Sequence, residues 1–266
     1  MVYPIANLPY GLRSRLSALA LPIERLELQV AANIVSICPP VLQKVQTTED
    51  TIEFRIENGE LQVFQKLEAK SRKRLNLGPY DLIQSECAVV FRGMELEDLY
   101  STIFDHFLLW PEKVYFIGCD NSDAFYQRAS KLTNGSAEQL FIFTIADISF
   151  QSIFEAFPFT ETLFLPAKLP TGWVKDIVKH QKRTLKKLAI FGNPNTVGAF
   201  THQELRSLFK RQGKDFEMQF DFWEHTDSYL KNVTNKLNLC FKRVKKERHQ
   251  LGRLSLTYND ILYTVS

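Results

Sequence analysis

Residues 113–143 read KVYFIGCDNSDAFYQRASKLTNGSAEQLFIF. Two apolar runs, Val114–Ile117 and Leu140–Phe143, flank a segment in which Phe125, Ala129 and Leu132 recur at helical spacing. Ser122 stands where its hydroxyl can accept from an unpaired N–H of the first helical turn. The stretch predicts strand, helix, strand, and the alternation extends in both directions. Strand-like runs recur as ECAVVF, KVYFIG, QLFIFT, TLFLPA, KLAIF and FEMQF. From Val89 through Val114, Leu140, Leu163 and Leu188 to Phe216 the steps are 25, 26, 23, 25 and 28 residues. Helical spacing fills the gaps: Leu96, Leu99, Tyr100, Ile103 and Phe107; Phe150, Ile153, Phe154 and Phe157; Val174, Ile177 and Val178; Leu205, Leu208 and Phe209. Ser149 and Thr171 are placed to cap their helices, and Thr201-His202-Gln203-Glu204 spells a capping box.

A unit of one strand and one helix cannot bury both of its faces alone. Stacking such units gives a parallel sheet with a row of helices, a leucine-rich-repeat-like strand/helix solenoid of the α/β class. The alternative, also α/β, is a doubly wound sheet with helices on both faces. Ahead of the repeat, Ile52, Phe54 and Ile56 alternate with polar residues up to Asn58-Gly59, and Leu61 and Val63 continue a return strand. Residues 51–66 therefore read as a β-hairpin with a type I′ turn. Beyond residue 235, LNLCFKRV, RLSLTY and ILYTV have no helix between them and predict terminal antiparallel strands that close the sheet. The division is a helical segment at 1–46 and a hairpin-plus-repeat α/β domain at 47–266.

If Leu140, Ile142, Leu163, Leu165, Leu188 and Ile190 point to the helix layer, a period of two places Tyr115, Phe141, Phe143, Phe164 and Phe191 on the opposite, concave side. The expected arrangement is that this face is covered within the chain, with the 51–66 hairpin as the nearest cover. The alternative is a protein partner, because aromatic side chains give large contact area at low entropic cost.

Composition narrows the function classes. The 266 residues are 45% hydrophobic, 24% charged and 12% aromatic, which is a globular profile rather than a disordered or disulfide-scaffold one. Thirty-three basic against thirty acidic residues leave a net charge of +3. That is too little for a protein whose main work is neutralising nucleic-acid phosphates. Basic runs at Lys70–Arg74, Lys179–Lys187 and Lys242–Arg248 read chiefly as solvated faces, with polyanion or RNA binding as the lesser alternative. Cys38, Cys87, Cys119 and Cys240 are far apart without a C-x-x-C pair, which predicts free thiols and an intracellular setting. Pro4, Pro9 and two arginines break what a signal peptide would need as an apolar run, and no apolar window reaches the roughly eighteen residues of a membrane span. Neither secretion nor a membrane partner is expected, so the sequons at Asn134 and Asn232 would stay unmodified.

No catalytic constellation emerges. His106, His180, His202, His225 and His249 show no H-E-x-x-H and no ligand spacing to a cysteine, and neither a Gly-rich phosphate loop nor G-x-S-x-G is present. No catalytic residue, metal or cofactor is assigned, and a non-enzymatic role is expected.

The N-terminus carries the most specific pattern. Tyr3-Pro4-Ile5-Ala6-Asn7-Leu8-Pro9-Tyr10 leads into Leu12, Leu16 and Leu19 on one face of a short helix. Pro22 restarts the chain at a favourable first-turn position, and Leu26 and Val30 continue a second helix. So short a hairpin leaves apolar residues to pack on this chain or on another protein. The pattern resembles the F-box in the form found in large nematode F-box families, with an aromatic-Pro start, a Leu-Pro-Tyr core and a later proline, matched without a gap from Tyr3 to about Ala32. The resemblance implies that Leu8, Pro9, Leu12, Leu16, Pro22, Ile23 and Leu26 dock on the Skp-type adaptor of a cullin-based, SCF-type ubiquitin ligase. Gly11 and Arg25 depart from it, standing where apolar residues are usual. THQELRSLFKRQG and the closing runs CFKRV, RLSLTY and ILYTV are similar to the associated domain that follows the F-box in these proteins. That domain would hold an unknown target protein, with Tyr115, Phe141, Phe143, Phe164 and Phe191 as the contact residues. The second expectation is a non-catalytic interaction scaffold in which a degenerate F-box caps the solenoid and buries Leu12, Leu16 and Leu26.

Overall fold

The computed structural model describes residues 7–32, 42–67, 71–144, 148–166, 168–193, 196–222, 235, 242–245, 254–257 and 261–264. Helices α1 (Tyr10–Leu19) and α2 (Pro22–Ala32) come first, Pro22 occupying the turn where a missing N–H costs nothing. β1 (Gln46–Thr48) leads into β2 (Thr51–Glu57) and β3 (Glu60–Lys66), joined by Asn58 and Gly59 at φ 53° and 79°, the positive pair a type I′ turn demands. Next come β4 (Arg72–Arg74), β5 (Ile83–Ser85), β6 (Ala88–Arg92), two 3₁₀ turns at Glu97–Tyr100 and Thr102–His106, and β7 (Phe107–Leu109). Strand and helix then alternate: β8 (Lys113–Ile117), α3 (Asp123–Leu132), β9 (Gln139–Phe143), α4 (Phe150–Ala156), β10 (Thr162–Pro166), α5 (Trp173–His180), β11 (Lys187–Gly192), α6 (His202–Arg211) and β12 (Glu217–Phe222). β13 (Lys242–Lys245), β14 (Leu254–Thr257) and β15 (Ile261–Thr264) follow.

Twelve strands form one open sheet in the order β13-β15-β14-β12-β11-β10-β9-β8-β6-β2-β3-β4, parallel from β2 through to β14. From β2 to β12 the order advances without reversal, and α3, α4, α5 and α6 each pack on the next along one face. A doubly wound sheet would place helices on both faces, so that alternative does not form among the described residues. Alternation explains the layer. Ile52, Val89, Val114, Leu140, Leu163, Leu188 and Met218 stand in one register, and all are fully buried under the helices. Two residues on, Phe54, Phe91 and Phe116 repeat the pattern with ring centroids 5.8 and 5.6 Å apart. Each such side chain contributes about 1.5–3 kcal/mol relative to exposure. Phe216, the expected last repeat position, lies two residues before Met218, which holds the register.

Several expectations are corrected. The helix read from Leu96 to Phe107 is instead two 3₁₀ turns and β7, because the Ser101 hydroxyl accepts from Ile103 N–H and breaks the helix there. Phe107–Leu109 then pairs in a small parallel sheet of order β1-β5-β7, whose Ile83, Phe107 and Leu109 join the core on the helix side. Thr171 does not cap α5; Gly172 occupies that place at φ 82°, a left-handed conformation that glycine adopts without strain. Ser122, Ser149 and Thr201 do cap α3, α4 and α6, and Thr201 with Glu204 closes the capping box. The hairpin β2–β3 does not cover the aromatic face. It extends the sheet sideways, since the polar edge of β6 is satisfied by β2 in parallel register, Ile52 opposite Val89. At the far end β14–β15 and β15–β13 pair antiparallel as expected, but β14 joins β12 in parallel. The exposed edge strand β4 carries Arg72, Lys73 and Arg74, charges that discourage further strand addition.

Candidate protein-binding site

The sheet face opposite the helices is the polar half of the alternation made apolar. Tyr115, Phe141 and Phe164 occupy one register across β8, β9 and β10. Strands about 4.8 Å apart bring rings in register into contact. Tyr115 therefore stacks on Phe141 at 4.2 Å and 12°, and Phe141 on Phe164 at 4.3 Å and 14°. Phe143 meets Phe191 at 4.9 Å. Tyr115, Phe141, Phe164 and Phe191 are half-buried, and Phe143 is 39% exposed. The five aromatic residues singled out from period two thus share one partly exposed face of the sheet. Lys187 Nζ sits 5.8 Å from the centre of the Phe164 ring, closing one end of the column. Burial pushes the Tyr115 phenol pKa up, with a smaller push from Cys87, so the hydroxyl remains a donor.

On the same face lies a charged cluster that sequence reading missed. Glu53 alternates outward from Ile52 and Phe54, yet its side chain is fully covered. Arg92 Nε and Arg55 Nη2 donate to its Oε1 at 2.7 and 2.9 Å, and Lys66 Nζ lies 3.0 Å from Oε2. Burial alone would raise the Glu53 pKa, but the hydrogen bonds from Arg92, Arg55 and Lys66 outweigh it and hold the carboxyl at about 2. The sequence signal was the polar alternation of β2 itself. The main partner, Arg92, stands 39 residues away, and only the β2–β6 register brings the two together.

The N-terminal hairpin presents a second surface. No residue of α1 is buried. Pro9 and Leu12 are exposed, Leu8, Leu16, Ile23 and Leu26 are half-buried, and Pro22 is buried at the turn. Tyr10, Leu12, Leu19 and Val30 are 61, 55, 75 and 74% exposed. α2 is the docked half. Arg25, buried, donates from Nε to the Ser17 carbonyl at 2.8 Å and lays its guanidinium 4.2 Å from the centre of the Tyr80 ring. Gln29 Nε2 donates to the Gln43 carbonyl at 3.3 Å. Of the residues that depart from the F-box-like pattern, Arg25 anchors the hairpin, whereas Gly11 has open space around it.

The remaining candidates are scattered or lie outside the described residues. His106 Nδ1 lies 2.8 Å from the Asp81 carbonyl, a contact between residues 25 positions apart. His225, His249, Cys38, Cys240 and Asn232 lie outside the described residues. Among the described residues no group of three His, Cys, Asp or Glu side chains could hold a metal, and no helix is long and apolar enough to cross a membrane. A groove of about 1000 Å³ at the start of the strands is lined by Thr48, Asp50, Gln65, Lys73, Glu86, Cys87 and Glu112, and the Thr48 hydroxyl donates to Asp50 Oδ2 at 3.3 Å. Of the basic runs, Arg72–Arg74 forms β4, Lys186 pairs with Glu161, and Lys242–Lys245 forms β13. No protein-family model, curated protein or solved structure matches the chain.

Proposed function

We propose that this chain is a non-enzymatic substrate-recognition subunit of a cullin-based, SCF-type ubiquitin ligase, acting inside the cell. Its N-terminal hairpin is an F-box-like adaptor-binding element. Its strand–helix repeats form a leucine-rich-repeat-like solenoid whose concave aromatic face holds the target. One observation carries the reading: no residue of α1 is buried, and its Leu12 and Leu19 are 55 and 75% exposed. Apolar side chains left in water favour a partner, at about 1.5–3 kcal/mol for each leucine fully covered. The adaptor contact runs over Leu8, Pro9, Leu12 and Leu16, with Ile23 and Leu26 at its margin and Pro22 setting the turn. A few of these should dominate affinity, as in other interfaces of about 800 Å² per partner. The test is copurification of the Leu8→Ala/Pro9→Ala variant with a Skp-type adaptor and a cullin. Loss of both with an unchanged circular dichroism spectrum is expected, and undiminished capture rejects the reading.

The docked state of α2 favours a second reading, an interaction scaffold whose hairpin caps the repeats. Arg25 on Tyr80 and Gln29 on Gln43 support it. Under that reading the same variant binds no adaptor in either form and loses thermal stability instead.

A further inference from the structure

Asparagine followed by glycine occurs twice in the chain, at Asn58-Gly59 and Asn134-Gly135. Both asparagines are exposed and left-handed, at φ 53° and 52°. Their surroundings differ. Asn134 Nδ2 donates to the Leu109 carbonyl at 3.0 Å, and the Gly135 N–H donates to the Ser130 carbonyl at 2.8 Å. Gly135 is buried, with the Ser130 hydroxyl and the Ala156 carbonyl beside it. Asn58 has no such restraints. Among the described residues no hydrogen bond reaches its side-chain amide or the Gly59 N–H, and Gly59 has open space around it. The turn is also the weak end of its hairpin. Glu57 and Glu60 stand directly opposite one another across it, and like charges in that position oppose pairing. Arg55 pairs with Glu57 but is shared with Glu53, so the repulsion is only partly offset. An exposed tip of this kind opens locally at little cost. Hydrolysis of an asparagine amide through its own backbone needs two free groups, the glycine nitrogen that attacks and the Nδ2 that leaves. Both are free at Asn58, and both are held at Asn134.

We propose that Asn58 is a site of spontaneous covalent modification, at which the chain hydrolyses its own side-chain amide, and that the fold keeps Asn134 unreactive. The Gly59 nitrogen gives up its proton and bonds to Asn58 Cγ. The Cγ–Nδ2 bond breaks, and Nδ2 leaves as ammonia with that proton, which closes a cyclic imide. Glycine suits the step because no Cβ obstructs the approach of its nitrogen. Water then adds to one of the two imide carbonyls. Opening at Cγ gives aspartate, and opening at the main-chain carbonyl gives isoaspartate. The balance is one water consumed and one ammonia released, with no oxidant or reductant. Either product sets a third carboxylate between Glu57 and Glu60 and lowers the net charge of +3 by one. Isoaspartate also adds a methylene to the main chain, so a two-residue turn no longer closes Glu57 onto Glu60. The tip of β2–β3 thus carries a one-way, age-dependent change of charge and turn geometry, independent of whether the N-terminal helices take an adaptor.

The experiment incubates the full chain at mildly alkaline pH, samples it over days and digests each sample. Mass spectrometry reads amide loss at each asparagine, and enzymatic methyl transfer to isoaspartate reads the second product. Asn58 should convert about tenfold or more faster than Asn134, because Asn134 must first break two hydrogen bonds. In urea strong enough to unfold the chain the two rates should converge, since only the fold separates them. Asn58→Gln lengthens the side chain beyond easy ring closure, and it should remove the main acidic species that accumulates on ion exchange. Equal rates in the folded chain, a faster Asn134 or no conversion at Asn58 overturns the proposal. So does a gap that persists in urea, or an acidic species that survives Asn58→Gln undiminished.

Discussion

Replacing Glu53 by Gln isolates a buried carboxylate on the sheet face that carries the aromatic residues. The carboxyl is held at about 2 against an ordinary 4.5. That gap corresponds to about 3 kcal/mol of native-state preference for the charged form at neutral pH. Arg92 and Lys66 keep about a third of their side chains in water, so screening removes part of this, and a loss of about 2 kcal/mol is expected. In a chain of this size that lowers the melting temperature by about 4–8 °C. The sign follows from the depressed value: the contribution is complete above pH 4.5 and is lost as pH falls towards 2. Parent and Glu53→Gln should therefore differ at neutral pH and converge through that window, because acid protonates the parent carboxyl and makes it resemble the amide. Urea unfolding followed by circular dichroism at successive pH values reads the difference directly, and the other carboxylates cancel between the two proteins. A gap that is absent at neutral pH, or that stays constant down to the acid limit, refutes the assignment of Glu53 as the organising anion.

Three further outcomes are expected from stability measurements. Phe116→Ala, which removes a ring packed on Phe91, Phe125, Tyr126 and Phe157, should cost about 3–5 kcal/mol in chemical denaturation, whereas Phe143→Ala should cost under about 0.5 kcal/mol. Thr201→Ala removes the hydroxyl that accepts from Glu204 N–H at 3.2 Å and should destabilise by about 1 kcal/mol, with Thr201→Ser restoring it. Gly198→Ala would place a methyl carbon 2.2 Å from the Pro170 carbonyl oxygen, so soluble expression should fall sharply; a normally folded variant would contradict the close packing of Leu169 against Val197.

Much of the repeat was legible because its causes are local. Period-two apolar runs, the helical stripes of α3 to α6 and the caps Ser122, Ser149 and Thr201 each act within a few residues, and these appear in the structure where the chain placed them. The segment from Leu96 to Phe107 was misread because its apolar spacing suits a helix, while the Ser101 hydroxyl and the pairing of β7 with β5 decide otherwise. Thr171 looked like a cap until Gly172 took the position.

The candidate site divides in the same way. Alternation alone put Tyr115, Phe141, Phe143, Phe164 and Phe191 on one face, since side-chain direction in a strand is a property of the backbone pleat. Whether that face is open depended on where the 51–66 hairpin goes. Its own residues make it a hairpin, but an unpaired edge on β6, contributed by a distant part of the chain, makes it a sheet extension rather than a lid. The Glu53 cluster and the Arg25 anchor are of the same kind. A charge is buried or solvated according to the neighbours that fold around it, and those neighbours, Arg92 and Tyr80, are close in space only once the strands and helices have packed.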